Sequence, residues 1–322
     1  MIPRIGIATA GERSASEVAA RSRRALDAPL TEKVELWTAV LRDGALLVGS
    51  YQRTHGLPTT WPRLRRGSGG PEVIVGPGTV HLALSLAHPG ALLAADAKRI
   101  ANRNVRPLLR ALTRLGQAAH FFGRDWVSIA HRPAAWVGYA HDSTTHRTLF
   151  EAFVAVASPF ATTQRPSFLG IPPATLEALA GRSVDPHRVV SFIVSAYAEG
   201  RDPVALDVAK TDGQPEDEPL SEPPWTATTE VAIGTLGAGA DSSGAFRIGG
   251  DLLVSRDALT RLEGRVAAID PRSPAFDTDV AVAVEETLTA PEVAFDGVRS
   301  LDSLREVIAR AGLLPPPKSW AP

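Results

Sequence analysis

Apolar positions along the chain switch between two periods. Residues 33–40 (KVELWTAV) and 45–51 (ALLVGSY) are short apolar runs that read as strands, and Asp43-Gly44 between them predicts a hairpin turn. Residues 72–75, 79–86, 126–131, 135–140 and 148–157 read as further strands, with Arg132-Pro133 turning 126–131 into 135–140. A helical period governs other stretches. Residues 12–27 carry a weak stripe of Val18, Ala19, Ala25 and Leu26, and leave Arg21, Arg23 and Arg24 as a solvated face. Residues 91–101 are rich in Ala and Leu. In 106–115, Leu108, Leu109, Leu112 and Leu115 form a buried stripe that follows Pro107 and stops at Gly116. Residues 174–179 and 185–199 also read as helices, the second opened by Asp185-Pro186 as cap and first-turn pair.

Residues 211–224 hold four prolines and five acids and read as a linker. Beyond them, residues 231–233 and 245–248 predict strands around a loose turn at 234–244. Helices follow at 257–266, 279–288 and 301–311, and the tail LPPPKSWAP reads as an extended flap. The expected organisation is a first domain over 1–207, a linker over 208–225 and a second domain over 226–322.

Composition narrows the classes. The chain of 322 residues can bury two cores, and 44% apolar with 21% charged residues fits a globular protein. A net charge of −1 argues against a general nucleic-acid binder. The absence of cysteine excludes disulfides, Cys-ligated zinc and thiolate catalysis. The N-terminus does not read as a signal peptide and no apolar run is long enough for a membrane span, so a cytoplasmic location is expected. Six of the eight histidines fall between His81 and His146, but none has metal-ligand spacing, and no metal site is expected.

The candidate chemistry lies in residues 64–86, LRRGSGGPEVIVGPGTVHLALSL. Arg65 and Arg66 run into Ser68-Gly69-Gly70, and Gly76-Pro77-Gly78 follows. A ligand can lie against a main chain without Cβ atoms, and free N–H groups beside two guanidinium forks favour carboxylate or phosphate. The same residues also suit a glycine-rich hairpin with exposed arginines. Ser68 lacks the first glycine of a nucleophile elbow, so it suits hydrogen bonding to a carbonyl better than attack.

This loop resembles the RRxSGG loop of the lipoate–protein ligase family, in the biotin/lipoate ligase superfamily. LLVGSYQR is similar to the family's LGxxQ segment at Gly49 and Gln52. Asp125 stands at the family's Asn-Asp pair, with Arg124 in place of the Asn. Gly138 matches the glycine of its KxxG strand, and His146, Thr148 and Leu149 match HGTLL. Gly78 is kept, whereas Pro71 replaces a third loop glycine. The family lysine, three residues before Gly138, is here Ala135.

The resemblance implies an α+β fold, a mostly antiparallel sheet flanked by helices and related to class II aminoacyl-tRNA synthetases, with a small α/β accessory domain behind it. It implies that Arg65, Arg66, Ser68, Gly69, Gly70, Gly76, Gly78, Asp125, Gly138 and His146 bind substrate. Implied ligands are ATP with Mg²⁺ and lipoate or a medium-chain acid; the implied partner is a lipoyl or biotinyl carrier domain, with no nucleic acid or membrane. In the family the lysine bridges the carboxyl and the α-phosphate. Its replacement leaves three readings: a ligase in which Arg124 or Arg132 substitutes for the charge, an inactive relative that binds an acyl group or carrier domain, and an acyltransferase using a pre-activated donor. Arg65, Ser68 and Asp125 are expected to share one cleft that no lysine amine, Lys98 and Lys210 included, enters.

Overall fold

The computed structural model describes residues 2–116, 118–162, 168–211 and 222–313. The chain opens with β1 (Arg4–Arg13), α1 (Ala15–Arg24), β2 (Val34–Leu41), β3 (Ala45–Val48), β4 (Arg63–Arg65), β5 (Val73–Val75) and β6 (Val80–Leu86). There follow α2 (Ile100–Asn104), α3 (Arg106–Thr113), β7 (Ala119–Phe121), β8 (Trp126–Ile129), β9 (Arg132–His141) and β10 (Thr148–Val154). Then come α4 (Leu176–Ala180), α5 (Pro186–Ala198), β11 (Asp202–Ala205) and α6 (Val208–Thr211). One sheet takes the order β11-β1-β2-β6-β10-β9-β8-β7, parallel at β11/β1 and β1/β2 and antiparallel elsewhere. The fold is α+β with a mostly antiparallel sheet, as the sequence implies.

Both faces of this sheet are covered, so β2, β6 and β10 are buried throughout and read as continuous apolar runs. Phe150, Ala152 and Val154 of β10 pack with Leu108 and Leu112 of α3 and Val189 and Ile193 of α5. Leu149 and Phe153 face the other way, towards α1 and a small sheet of order β4-β3-β5. The start of α1 is fixed by a capping box between Ser14 and Glu17. Val18 and Ala19 of α1 and Ala25 and Leu26 just beyond it are buried, but so is Arg21, which leaves the expected solvated face.

Several local expectations change. Asp43-Gly44 does not close a hairpin: β2 pairs with β1 and β6, while β3 pairs with β4 and β5. The Asp43 carboxylate instead accepts the Ala15 N–H at 2.7 Å and anchors α1, and the turn hands the chain from one sheet to the other. The β8–β9 turn is made by Ala130 and His131, both at positive φ (49° and 62°), and Arg132-Pro133 belongs to β9. The helix expected over 91–101 begins only at a 3-10 turn over Ala97–Arg99.

A second core lies behind the first. β12 (Ala227–Val231), β13 (Gly234–Ala240) and β14 (Phe246–Gly250) form a sheet, followed by β15 (Leu253–Val254), α7 (Arg256–Ala267), α8 (Phe276–Leu288), β16 (Phe295–Asp296) and α9 (Asp302–Leu313). The expected loose turn is the central strand β13. Its glycines let Trp225 close on the sheet, since a Cβ at Gly237 would meet the indole at 2.3 Å. Leu236, Leu262, Val280 and Leu304 centre this core. Residues 212–221 of the expected linker and the proline-rich tail lie outside the described residues. Among the described residues no helix is long and apolar enough to cross a membrane.

Candidate functional site

The glycine-rich loop is in place, but the protein itself lies against it. A Cβ at Gly67 would meet the Ser22 carbonyl oxygen at 2.1 Å, one at Gly69 the Leu252 carbonyl oxygen at 2.1 Å, and one at Gly70 the Trp136 ring at 3.2 Å. The loop N–H groups are spent in the same way. Gly67 N donates to Ser22 Oγ (2.7 Å), Gly69 N to Tyr139 O (3.0 Å) and Gly70 N to Leu252 O (2.7 Å). Pro71 has no N–H to give. The matched segments do converge: a Cβ at Gly49 would meet Gly70 O at 2.1 Å, and one at Gly138 would meet Gly69 O at 2.9 Å. The side chain of Gln52 accepts the Gly49 N–H (2.7 Å) and donates to Glu72 (3.1 Å) and Asp251.

Arg66 is the knot of the loop. Its buried guanidinium donates to the carbonyls of Leu47 (2.9 Å), Gly69 (3.1 Å), Gly70 (3.0 Å) and Pro71 (2.7 Å) and to Ser68 Oγ (3.2 Å), and it stacks 4.0 Å from the Trp136 ring centroid. Burial lowers its pKa to about 10 against the attraction of Glu151 and Asp251, so it remains a cation at neutral pH. Arg65 is turned away: it donates to the carbonyls of Gly49 (3.1 Å) and Gln52 (2.7 Å) and pairs with Glu222 at 2.9 Å.

Ser68 is fully buried and donates to Glu151 of β10, whose other oxygen lies 2.8 Å from His81 Nε2. The carboxylate sits between the hydroxyl and the imidazole, so His81 does not face the hydroxyl and the order is not that of a Ser-His-Asp triad. Burial alone would raise Glu151, yet hydrogen bonds from His81 and Ser68 and the Arg66 charge hold it below the usual carboxylate range. Aromatic rings fill the surroundings: Trp37 and His81 at 5.6 Å, His81 and Phe153 at 4.6 Å, Trp136 and Phe153 at 5.8 Å between centroids.

The other candidates scatter. Ala135 is fully buried in β9 among Val127, Val137 and Val154, in the core shared with α3 and α5. Arg132 is exposed and donates to Pro172 O (3.2 Å) and Pro173 O (2.7 Å). His146 sits exposed in the β9–β10 turn at φ 61°. Gly76 and Gly78 shape the turn into β6, where a Cβ at Gly76 would meet Ser158 Cβ at 2.7 Å and Gly78 adopts φ 78°. Lys98 is exposed with its amine 3.4 Å from Thr289 O; the Lys210 side chain lies outside the described residues.

Asp125 has a different setting from Arg65 and Ser68, so the three do not share a cleft. It lines a cavity of about 160 Å³ between the two cores, together with Glu72, Glu230, Asp251 and Arg124. Asp125 is 3% exposed, and its Oδ1 has no hydrogen-bond partner. Burial pushes its pKa up to about 6, opposed by its own backbone N–H and by Arg124 and Arg66. Arg124 donates to Ala232 O across the gap and lies 4.7 Å over the Trp126 ring. Among the described residues the cavity is lined by four carboxylates and one guanidinium, a set that disfavours a nucleoside triphosphate, and Glu72 and Asp251 both accept from Gln52 Nε2. Among the described residues no group of three or more His, Asp or Glu side chains could hold a metal ion. The four-carboxylate wall was missed in the sequence because Glu72, Asp125, Glu230 and Asp251 come from four separate segments.

Comparison with family models and with curated proteins gives no match. The fold is that of lipoate-protein ligases. Among solved structures, P. falciparum LipL1 in complex with lipoate is similar over 96% of this chain and 99% of its own, with a TM-score of 0.61 and 11% identity. The bipartite lipoate protein ligase of Thermoplasma acidophilum, studied with its E2 lipoyl domain, is similar over 64% of this chain and 88% of its own, with a TM-score of 0.50 and 14% identity.

Proposed function

We propose that this chain is a lipoate–protein-ligase-like protein that receives the lysine of a lipoyl-type carrier domain without adenylating an acid. The observation that carries this reading is Asp125, a buried carboxylate with an unpartnered oxygen on a cavity walled by Glu72, Glu230 and Asp251. Among the described residues the acidic side chains lining this cavity outnumber the one guanidinium of Arg124, which favours an ammonium over a polyphosphate. The glycine loop, which would hold an acyl-adenylate in the ligases it resembles, has its donors at Gly67, Gly69 and Gly70 committed to protein acceptors. Ala135 supplies no charge where the ligases carry a lysine, and a positive group in a water-poor site is the main electrostatic aid to such a step.

In this reading Asp125 takes a hydrogen bond from the incoming ammonium, Glu72 and Asp251 balance its charge, and the Leu252–Gly70 contact keeps water and acid out of the loop. Two measurements on the full chain test it. Pyrophosphate release with ATP/Mg²⁺ and lipoate or octanoate is expected to stay at background. Titration calorimetry with a lipoyl domain is expected to give binding that disappears when the carrier lysine is replaced by methionine. Acid-dependent pyrophosphate release would restore the ligase reading, and carrier binding indifferent to the lysine would remove the role given to Asp125.

A further inference from the structure

On the opposite face of the main sheet from the glycine loop, α3, α4 and the start of α5 enclose a cavity of about 310 Å³. That is a size at which pockets begin to hold small organic ligands. Its floor is apolar and buried, made by Leu112, Ile129 and Leu176, all of which belong to the core on this side of the sheet. Leu115, Leu179 and Val184 extend the apolar wall outward. The mouth is cationic: Arg114, Arg182 and Arg188 line it against the single carboxylate of Asp185.

The walls are built, not left to a loose loop. α4 is held to the sheet by Ala174 N to Pro133 O (2.8 Å) and Leu176 N to Ala155 O (2.8 Å). Its start is capped by Thr175, whose Oγ1 accepts Ala178 N at 3.1 Å, and it ends at Gly181 in the left-handed region, φ 63°. The connection to α5 is pinned by Glu177, which accepts Ser183 Oγ (3.0 Å) and Val184 N (3.1 Å). Asp185 accepts the His187 N–H at 2.9 Å as the cap of α5, which turns the one mouth carboxylate to the helix. Arg188 lies over the Phe192 ring at 5.6 Å, and Arg114 pairs with Glu199, 3.4 Å from both carboxylate oxygens.

We infer that this cavity binds the medium-chain carboxylate class of ligand, with the alkyl chain on Leu112, Ile129 and Leu176 and the carboxylate at the arginine mouth. An apolar floor excludes polar metabolites, and the guanidinium groups of Arg182 and Arg188 at the opening, beside the Glu199-paired Arg114, select an anionic head over a neutral one. The site is separate from the glycine loop and does not depend on the carrier reading, so failure of one leaves the other standing.

The test is calorimetry of the full chain with butanoate, hexanoate, octanoate and decanoate, with octanol as the neutral control. The expected result is an affinity that rises about fourfold for each added methylene, the change that about 0.8 kcal/mol per buried CH₂ produces. Octanoate is expected to exceed octanol by tenfold or more. Leu179→Trp, which fills the cavity, is expected to abolish octanoate binding. Arg182→Glu, a surface change that leaves the fold alone, is expected to weaken octanoate by about tenfold while leaving octanol unchanged, as loss of one charged contact would. A diazirine-bearing octanoate is expected to label peptides from residues 108–116 and 174–190. Affinity flat with chain length, octanoate no tighter than octanol, or labelling confined to residues 64–71 and 136–140 would overturn the assignment.

Discussion

Replacing Arg66 with alanine separates a structural loop from a ligand-binding one. The guanidinium satisfies four buried carbonyls, at Leu47, Gly69, Gly70 and Pro71, and covers the Trp136 ring. Each buried acceptor left without a donor costs about 1–3 kcal/mol, and the lost stacking adds up to about 2 kcal/mol. Part of this is offset, because burial disfavours the charged guanidinium, as its lowering to about 10 shows. The loop also relaxes and admits water. A net loss of about 3–5 kcal/mol follows, the range for breaking a buried charged network. For a chain of 322 residues, at about 2.1 cal/mol/K per residue, that lowers Tm by roughly 4–8 °C. Urea unfolding followed by tryptophan fluorescence measures it, and Trp136 reports on the same site. Arg66→Lys is expected to fall between the two, because an ammonium cannot span four carbonyls in one plane. A loss below about 1 kcal/mol for Arg66→Ala would refute the argument and return Arg66 to the solvent-facing, ligand-ready role that its sequence context suggests.

Other outcomes follow from the same geometry. Ala135→Lys puts an ammonium into the core among Val127, Val137 and Val154 and is expected to destabilise by about 3 kcal/mol or more, with pyrophosphate release still absent; a stable, releasing variant would show that the lysine alone was missing. Asp125 has a folded pKa raised to about 6, so its charge costs stability that sets in above the unfolded value of 3.8 and is complete above about 6. Asp125→Asn is therefore expected to be more stable than the parent by about 1–3 kcal/mol at pH 7.5, with the gap closing below about pH 4 in denaturation curves. By the same protonation, carrier binding at this cavity is expected to strengthen as pH rises through about 6. Glu151 is shifted the other way, so its contribution is present above about 4.5 and lost as pH falls through its lower folded value; Glu151→Gln is expected to flatten the acid side of the stability profile.

Local chemistry was legible in the sequence wherever a few adjacent residues decide the outcome. The Asp185-Pro186 start of α5 lies where the cap and ring geometry put it, and the leucine period of α3 buries Leu108 and Leu112. The α+β class and the convergence of Gly49, the glycine loop and Gly138 also follow from motifs present in the chain. What the sequence could not decide was the identity of each partner. Asp43-Gly44 has the composition of a hairpin turn, yet the strands on either side find lower free energy in different sheets, and Asp43 is claimed by α1. The loop glycines signal close approach to something. Only the folded chain shows that Gly69 meets Leu252 and that Ser68 meets Glu151, 83 residues away. Backbone conformation is a short-range property, whereas the choice between a ligand and the protein's own surface is made by packing between segments far apart in the chain. The same physics sets Asp125: its aspartate chemistry is written in the sequence, but its unpartnered burial beside three other carboxylates is a property of the tertiary structure alone.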